Sequence, residues 1–318
     1  MVFAELFILV ISIVVLSRAA SLVADSAVKL ARFFNVSTLA IGLLLVSVST
    51  SLPELSVSVM SSVAGEGAIA AGNVFGSNIA NILLILGLAA ALYGFKVRKD
   101  ILPDIAIVLL ATTIISVYIM YKSSVEGSAL SFYEGILLLL VFVWYANRIL
   151  SKKKIDAAPA ASSMSLREGL HAFLFFGAGM VVVIISSSFV VDSAVSLSRI
   201  AGLAESFIGA TLIAVGTSLP ELSVDIAAIR KKQYGLALGD AIGSNMVNLT
   251  LVLGTAAAIS PIVVQLKVFI VALLFAIIAN MVFFYISVVK KEFGRKEGIA
   301  MLALYAIYII AIFYLQFS

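Results

Sequence analysis

The sequence predicts an all-α membrane protein with ten transmembrane helices in two inverted-topology five-helix repeats. Three observations predict this fold: the composition, ten long apolar stretches and a motif that occurs twice. Of the 318 residues, 63% are hydrophobic and 12% are charged, whereas soluble domains are about 45–50% apolar and about 25% charged. Because backbone amides in lipid must be paired internally, and the alternating strands of a barrel are missing, the spans are predicted to be helical.

Ten apolar stretches are long enough to cross a bilayer, which takes about 20 residues. The first is predicted to be a span rather than a secretory signal, because it has no basic start and contains Glu5 and Arg18. In chain order the stretches are 6–23, 37–63, 68–95, 101–120, 130–147, 169–191, 207–229, 236–264, 268–289 and 299–317. Almost no soluble domain remains, and the absence of cysteine from the sequence excludes disulfides and thiol chemistry.

The basic residues predict the orientation of the chain. Eighteen of the 21 Lys and Arg residues fall on one side of the membrane, and only Lys122, Arg199 and Lys267 fall on the other. The richer side is expected to be cytoplasmic, so that both termini lie outside. The net charge of +4 therefore reflects topology, and no nucleic-acid partner is expected.

A motif occurs twice in one register. The residues T-S-L-P-E-L-S-V begin at Thr50 and again at Thr217, an offset of 167 residues, and the same offset relates Asn81 to Asn248. We predict a first five-helix repeat over residues 1–150, a polar cytoplasmic linker over 151–165 and a second repeat over 166–318. Because five is an odd number, the second repeat must enter the membrane in the opposite sense, an arrangement typical of secondary transporters.

Glu54 and Glu221 lie within apolar spans, each directly after a proline. An isolated charge there costs from about 2.5 kcal/mol upward, so each glutamate needs a partner or a ligand. Pro53 and Pro220 break the helices and free backbone carbonyls one turn earlier, which is tolerated in a membrane beside a cation or water. Carboxylate, carbonyl, amide and hydroxyl oxygens suit Ca²⁺ or Na⁺ rather than zinc or copper.

Other polar residues share helical faces with these glutamates or repeat at the same offset. The first stripe contains Ser47, Thr50, Ser51 and Glu54, the second contains Thr217, Ser218 and Glu221, and the third and eighth spans add Ser77 with Asn81 and Ser244 with Asn248. Small and hydroxylated residues elsewhere in these spans are expected to pack helices. Asp225, one turn beyond Glu221, is expected in an inner vestibule or paired with Arg230.

In these residues the chain resembles the cation/Ca²⁺ exchanger superfamily, and most closely its prokaryotic Na⁺/Ca²⁺ exchanger branch. The resemblance covers nearly the whole chain and rests on S-T-S-L-P-E-L with G-S-N-I-A-N, and on G-T-S-L-P-E-L with G-S-N-M-V-N. It implies that Glu54 and Glu221 are the central Ca²⁺ ligands, together with the carbonyls of Thr50 and Thr217. The flanking Na⁺ sites that it implies, by carbonyl or hydroxyl, are at Ser47, Ser51, Ser77, Ala214, Ser218 and Ser244, with Asn81 and Asn248 lining the centre.

The resemblance predicts a secondary antiporter that exchanges Na⁺ for Ca²⁺ by alternating access, without a cofactor and without enzymatic activity. Exchange of three Na⁺ for one Ca²⁺, as in similar exchangers, would make it electrogenic. Asn248 stands where K⁺-dependent relatives have Asp, which favours K⁺ independence. We expect a monomer in the plasma membrane, whose partners are the lipid bilayer and the transported ions.

Other functions compete with this one. An H⁺/Ca²⁺ exchanger that uses the same two glutamates stays open, because two protons can replace one Ca²⁺ without any hydroxyl sites. A membrane-embedded hydrolase is disfavoured, since the hydrolase motifs G-x-S-x-G and H-E-x-x-H are absent from the sequence. A passive channel is the remaining class.

Overall fold

The computed structural model describes residues 2–97, 99–126, 130–151, 164–200, 216–263 and 266–316, and these are almost entirely helical. The helices of the first half are α1 (Val2–Phe34), α2 (Thr38–Thr50), α3 (Leu52–Val63), α4 (Gly67–Tyr93), α5 (Leu102–Glu126) and α6 (Phe132–Ser151). Those of the second half are α7 (Leu166–Ile200), α8 (Leu219–Arg230), α9 (Tyr234–Ile259), α10 (Leu266–Val289) and α11 (Arg295–Gln316). Two short strands, β1 (Phe95–Lys96) and β2 (Glu292–Phe293), pair with each other.

Among the described residues, seven helices are long and apolar enough to cross a membrane, or eight if α2 and α3 form one broken span. The predicted span 207–229 is described only from residue 216 onward. The predicted span 299–317 is present as α11 but is not one of the seven. The all-helical membrane fold is confirmed, and the count of ten spans stays a prediction.

Helices α1 and α7 are longer than the apolar stretches that predicted them, at 33 and 35 residues. Hydropathy marks only the part of a helix that lies in hydrocarbon, whereas residues such as Lys29 and Arg32 continue a helix readily in water. Helix α1 ends where Asn35 takes a left-handed conformation with φ 56°. The Val36 amide then donates to the Ala31 carbonyl at 2.9 Å and closes the helix end.

The chain divides into two compact units, each of which combines segments of both sequence halves. The first unit comprises Met1–Thr50 and Ile149–Asp240. In this unit α1 packs along α7, and α8 packs against both. Lys231, just after α8, binds Asp25 of α1 at 2.7 Å. Most of the predicted linker 151–165 lies outside the described residues.

Helix α2 meets the beginning of α9 within the first unit through two glycines. A Cβ added to Gly42 would lie 2.4 Å from the Leu236 carbonyl oxygen, and one added to Gly239 would lie 2.5 Å from the Leu39 carbonyl oxygen. Since real Cβ atoms do not approach backbone so closely, only glycine permits this contact. It brings Thr50, at the end of α2, close to Asp240 of α9.

The second unit comprises Ser51–Arg148 and Ala241–Ser318. Helix α4 and the part of α9 that follows Asp240 contribute much of its buried core. In each of these two helices, 78% of the residues of an apolar 18-residue stretch are buried. Helices α3, α10 and α11 pack against α4, and α5 packs against α10. The second unit therefore surrounds α4, which carries Ser77 and Asn81.

Two β pairings in the second unit are counterparts of each other. Phe95 of β1 lies opposite Phe293 of β2, and Leu130 forms an isolated bridge with Ile262. Ile262 is the counterpart of Phe95 at the repeat offset of 167 residues. Phe293 is the counterpart of Leu130 at an offset of 163 residues, because the second repeat is four residues shorter before this point. Each pairing thus joins the two repeats, with the partners exchanged. This exchange is what a two-fold relation produces, and it supports the predicted inverted repeat.

Candidate cation-binding site

Glu54 and Glu221 each lie in the first turn of a helix. Helices α3 and α8 begin at the leucine before the proline, so that each glutamate is the third helical residue. The preceding residues leave helical geometry in the same way, Ser51 with φ −79° and ψ 8° and Ser218 with φ −90° and ψ 9°. A proline is tolerated in the first turn, because the backbone N–H that it lacks would have no acceptor within the helix there. A helix N-terminus also favours negative charge. The break therefore lowers the cost of burying these carboxylates, which are 0% and 1% exposed.

In the second unit, Glu54 is held against α4. The Ser77 hydroxyl donates to Glu54 Oε1 at 3.3 Å. The Asn73 amide donates to the Glu54 backbone carbonyl at 3.1 Å and to the Ser58 hydroxyl at 3.0 Å. The structure thus brings together Glu54 and Ser77, two residues that the sequence predicted for one site. The predicted residues Ser51 and Ser244 are also buried in this unit.

Four buried asparagines of α4 and α9 form a hydrogen-bonded group, here called the asparagine quartet: Asn78, Asn81, Asn245 and Asn248. Asn81 Nδ2 donates to Asn245 Oδ1, and Asn248 Nδ2 donates to Asn78 Oδ1, both at 3.1 Å. Asn78 Nδ2 donates to the Asn245 backbone carbonyl at 3.2 Å, and Asn245 Nδ2 donates to the Asn78 backbone carbonyl at 3.3 Å. Every bond has its counterpart in the other repeat. The quartet therefore joins the two repeats around a local two-fold axis.

The second asparagine of each motif lies in a π-helical turn, Ala80–Leu86 for Asn81 and Asn248–Val252 for Asn248. Such turns are frequent at functional sites, because the wider ring alters the spacing of side chains and carbonyls. The sequence predicts Asn81 and Asn248 as site residues, but the prediction does not include Asn78 and Asn245. The signal that could have found them was their identity at the repeat offset of 167 residues.

In the first unit, the predicted ligands Ser47 and Thr50 direct their hydroxyl groups along α2. The Ser47 hydroxyl donates to the Leu43 carbonyl at 2.8 Å. The Thr50 hydroxyl is 3.1 Å from the Val46 carbonyl and 3.1 Å from Asp240 Oδ1. Both residues are fully buried. The pairing of Thr50 with Asp240 was not predicted, since their sequence separation is 190 residues.

The second motif lies at the beginning of α8, also in the first unit. Thr217 is half-buried, and Ser218 and Glu221 are buried. Ala214, the remaining predicted ligand, lies outside the described residues. Glu221 belongs to the first unit and Glu54 to the second.

Two further buried carboxyls lie near Glu221 in the first unit. Asp225 and Asp240 are both fully buried and face each other within hydrogen-bonding reach, and the charge of Glu221 also acts on Asp225. Neither oxygen of Asp225 has a hydrogen-bond donor among the described residues. The expected pairing of Asp225 with Arg230 is wrong, since Asp225 faces Asp240 and Arg230 is exposed.

The first repeat has neutral residues at the positions of these two acids. Ser58 corresponds to Asp225 and Asn73 to Asp240, and in the first repeat the amide of Asn73 donates to the hydroxyl of Ser58. The same contact between neighbouring helices is therefore neutral in one repeat and acidic in the other. In the part of the chain that the structure describes, no three His, Cys, Asp or Glu side chains are grouped so that they could hold a metal ion.

The chain matches known proteins over most of its length. The model of the family described as sodium/calcium exchanger protein matches residues 4–149 and 171–314. Inner membrane protein YrbG of Escherichia coli is 34% identical over 263 residues, which cover 80% of this chain and 79% of the relative. Sodium/calcium exchanger MaX1 of Methanosarcina acetivorans is 29% identical over 351 aligned positions, which cover 99% of this chain and 100% of the relative.

The chain also matches solved structures over nearly its whole length. The sodium-calcium exchanger NCX_Mj, in crystals soaked with 10 mM Na⁺ and zero Ca²⁺, matches with a TM-score of 0.84 at 27% sequence identity. The match covers 98% of this chain and 99% of that chain. The likeness therefore extends over both repeats.

Proposed function

This chain belongs to the sodium/calcium exchanger family, and from that premise we propose that it exchanges Na⁺ for Ca²⁺ across the plasma membrane by alternating access. Membership makes it a multi-pass cation/Ca²⁺ antiporter and not an enzyme, and a family of this kind needs no cofactor. The proposal adds the counter-ion, the stoichiometry and the residues that bind the ions.

The observation that carries the proposal is the buried first-turn position of Glu54 and Glu221. Two carboxylates match the charge of one Ca²⁺, and a helix N-terminus stabilises each of them without neutralising it. We assign Ca²⁺ binding to these glutamates and to the backbone carbonyls of Thr50 and Thr217. The assignment follows the family pattern together with the repeat.

Na⁺ is assigned to sites that use the same carboxylates with neighbouring oxygens. The contact of Ser77 with Glu54 supports this, since it places a hydroxyl oxygen beside a carboxylate. The remaining residues of these sites are Ser47, Ser51, Ala214, Ser218 and Ser244, and Asn81 and Asn248 line the centre. Because the two ions compete for the glutamates, only one kind occupies them at a time.

Exchange of three Na⁺ for one Ca²⁺ moves one net charge per cycle, so the exchanger is electrogenic. It does not require K⁺, because the neutral amide of Asn248 replaces the carboxylate that K⁺-dependent relatives carry there. The protein acts as a monomer, with its N- and C-termini outside.

H⁺/Ca²⁺ exchange by the same glutamates is the alternative. The observation in its favour is that the hydroxyl group of Ser47 donates to the Leu43 carbonyl of its own helix, an orientation that helix packing alone explains. Under this alternative the hydroxyl groups of the site pack helices, and the two glutamates carry protons.

The test uses purified protein in liposomes and follows uptake of radioactive Ca²⁺. One sample has an outward Na⁺ gradient at equal pH, the other an outward H⁺ gradient without Na⁺, and each is repeated with and without K⁺. We expect Na⁺ to drive uptake whether K⁺ is present or not. Uptake driven only by protons would replace the proposal with the alternative, and uptake that needs no counter-ion would indicate a channel.

The matched variants are E54Q and E66Q. Glu54 is buried in the site, while Glu66 lies in the exposed turn that joins α3 to α4. We expect E54Q to reduce uptake to the level of protein-free liposomes, because one of the two charges that balance Ca²⁺ is lost. E66Q is expected to transport like the unmodified protein. Na⁺-driven uptake that survives in E54Q would contradict the assignment of Glu54.

A further inference from the structure

The asparagine quartet contains two residues, Asn78 and Asn245, to which the proposed function gives no role. We propose that they are positioning residues, which orient the side-chain amides of Asn81 and Asn248 so that both present an oxygen, rather than an NH₂ group, to the transported ion. This inference rests on the proposed function, since it concerns two of the residues that line the ion site.

The orientation of the Asn81 amide follows from the backbone carbonyl of Asn78. The carbonyl of Asn78 can only accept a hydrogen bond, so the side chain of Asn245 must turn its NH₂ group toward it, at 3.3 Å. The oxygen of the Asn245 amide then faces Asn81. Because that oxygen is also an acceptor, Asn81 must donate to it through Nδ2, at 3.1 Å.

The orientation of the Asn248 amide follows in the same way from the backbone carbonyl of Asn245. The backbone carbonyl of Asn245 accepts from the side chain of Asn78 at 3.2 Å. The oxygen of the Asn78 amide then accepts from Asn248 Nδ2 at 3.1 Å. Each repeat thus sets the orientation of an amide that belongs to the other repeat.

The side-chain oxygens of Asn81 and Asn248 remain without a donor. Both are buried, and neither has a hydrogen-bond partner among the described residues. A buried amide oxygen in this state is costly unless it meets a donor, a water molecule or a cation. Each of the two residues also lies in a π-helical turn, a feature that is frequent at functional sites.

Orientation matters because the two ends of an asparagine amide act oppositely on a cation. The oxygen is a ligand for Na⁺ or Ca²⁺, whereas the NH₂ group, after a half-turn of the same side chain, repels the ion. A carboxylate presents oxygen in either orientation and needs no such control. A site lined by asparagines therefore requires residues that fix the orientation, and Asn78 and Asn245 supply it.

The experiment is a double-mutant cycle on Na⁺-driven Ca²⁺ uptake. In the unmodified background, N245L removes the acceptor that orients Asn81, and we expect the KM for Ca²⁺ to rise about 10–100-fold, as when other residues that hold metal ligands are lost. The maximal rate should change much less. In the N81D background no orientation has to be set, so N245L should change the KM by less than about threefold.

The two-fold relation supplies a second cycle, N78L in the unmodified and in the N248D background, with the same expectation. It decides the question if N245L does not yield folded protein. An equal rise in KM in both backgrounds would overturn the inference, because it would mean that the asparagines only pack the helices. Absence of any Ca²⁺ transport by the unmodified protein would instead overturn the proposed function, and the inference with it.

Discussion

Asp225 and Asp240 occupy positions at which the other repeat has a serine and an asparagine. In the first repeat, the Asn73 amide supplies a hydrogen to Ser58. In the second repeat both groups are carboxyls, and neither oxygen of Asp225 receives a donor among the described residues. Two buried carboxyls that face each other away from water raise the free energy of the folded state, because both are desolvated and their like charges repel each other.

We predict that D240N stabilises the protein in buffers without Na⁺ and Ca²⁺. The amide of an asparagine would donate to Asp225, as Asn73 donates to Ser58, and its oxygen would still accept from Thr50. The expected gain in the free energy of unfolding is about 1–3 kcal/mol, the cost of a buried polar group left unpaired. Thermal unfolding of the purified protein measures it.

The reverse substitution in the first repeat is the control for this prediction. N73D removes the donor to the Glu54 backbone carbonyl and to Ser58, so we expect it to lower the unfolding temperature. A D240N protein that unfolds at a lower temperature than the unmodified protein would contradict the prediction. It would mean that the two acids are held together by an interaction that an amide cannot replace.

At the scale of helices, glycines set how closely the two repeats approach within the second unit. A Cβ added to Gly298 of α11 would lie 2.3 Å from the Ala91 amide nitrogen of α4, and one added to Gly135 of α6 would lie 2.6 Å from the Ala258 amide nitrogen of α9. Ala258 follows Ala91 by the repeat offset. Helix α11 of the second repeat thus packs against α4 of the first, and α6 of the first repeat packs against α9 of the second.

We predict that G298A destabilises the protein, because the added methyl group must push α11 away from the backbone of α4. Overpacking of this kind costs about 1–3 kcal/mol. The matched control is G177A in α7, at an exposed glycine with no described atom within 4 Å of the added Cβ. There the substitution should be neutral or stabilising by up to about 1 kcal/mol, the ordinary helix preference for alanine. Equal unfolding temperatures for the two variants would contradict the prediction.

How far the sequence predicts these elements depends on whether the information is local. Apolar stretches predicted the helices, and the proline after Leu52 and after Leu219 predicted the two breaks, because both signals act over a single turn. The π-helical turns at Asn81 and Asn248 and the pairing of Thr50 with Asp240 were not predicted. They arise from packing between helices that are distant in sequence, for which a single sequence carries no local signal.

At the scale of the whole molecule, the helices that carry the two copies of the motif fall in different compact units. Helix α3 of the first repeat belongs to the second unit and packs against α4, whereas its counterpart α8 belongs to the first unit and packs against α1 and α7. Inverted-repeat transporters alternate access by moving one part of the fold against another around a fixed site.

The charge moved in a full cycle is the property of the whole molecule that the proposed stoichiometry fixes. If three Na⁺ leave for each Ca²⁺ that enters, one net positive charge moves outward per cycle, and the membrane potential acts on it with about 2.3 kcal/mol per 100 mV. We therefore predict that an inside-positive potential accelerates Na⁺-driven Ca²⁺ uptake into liposomes and that an inside-negative potential slows it.

A K⁺ gradient with valinomycin sets the potential, and protein-free liposomes give the leak. Uptake that does not respond would indicate two Na⁺ per Ca²⁺, and acceleration by an inside-negative potential would mean that fewer than two positive charges leave for each Ca²⁺ that enters.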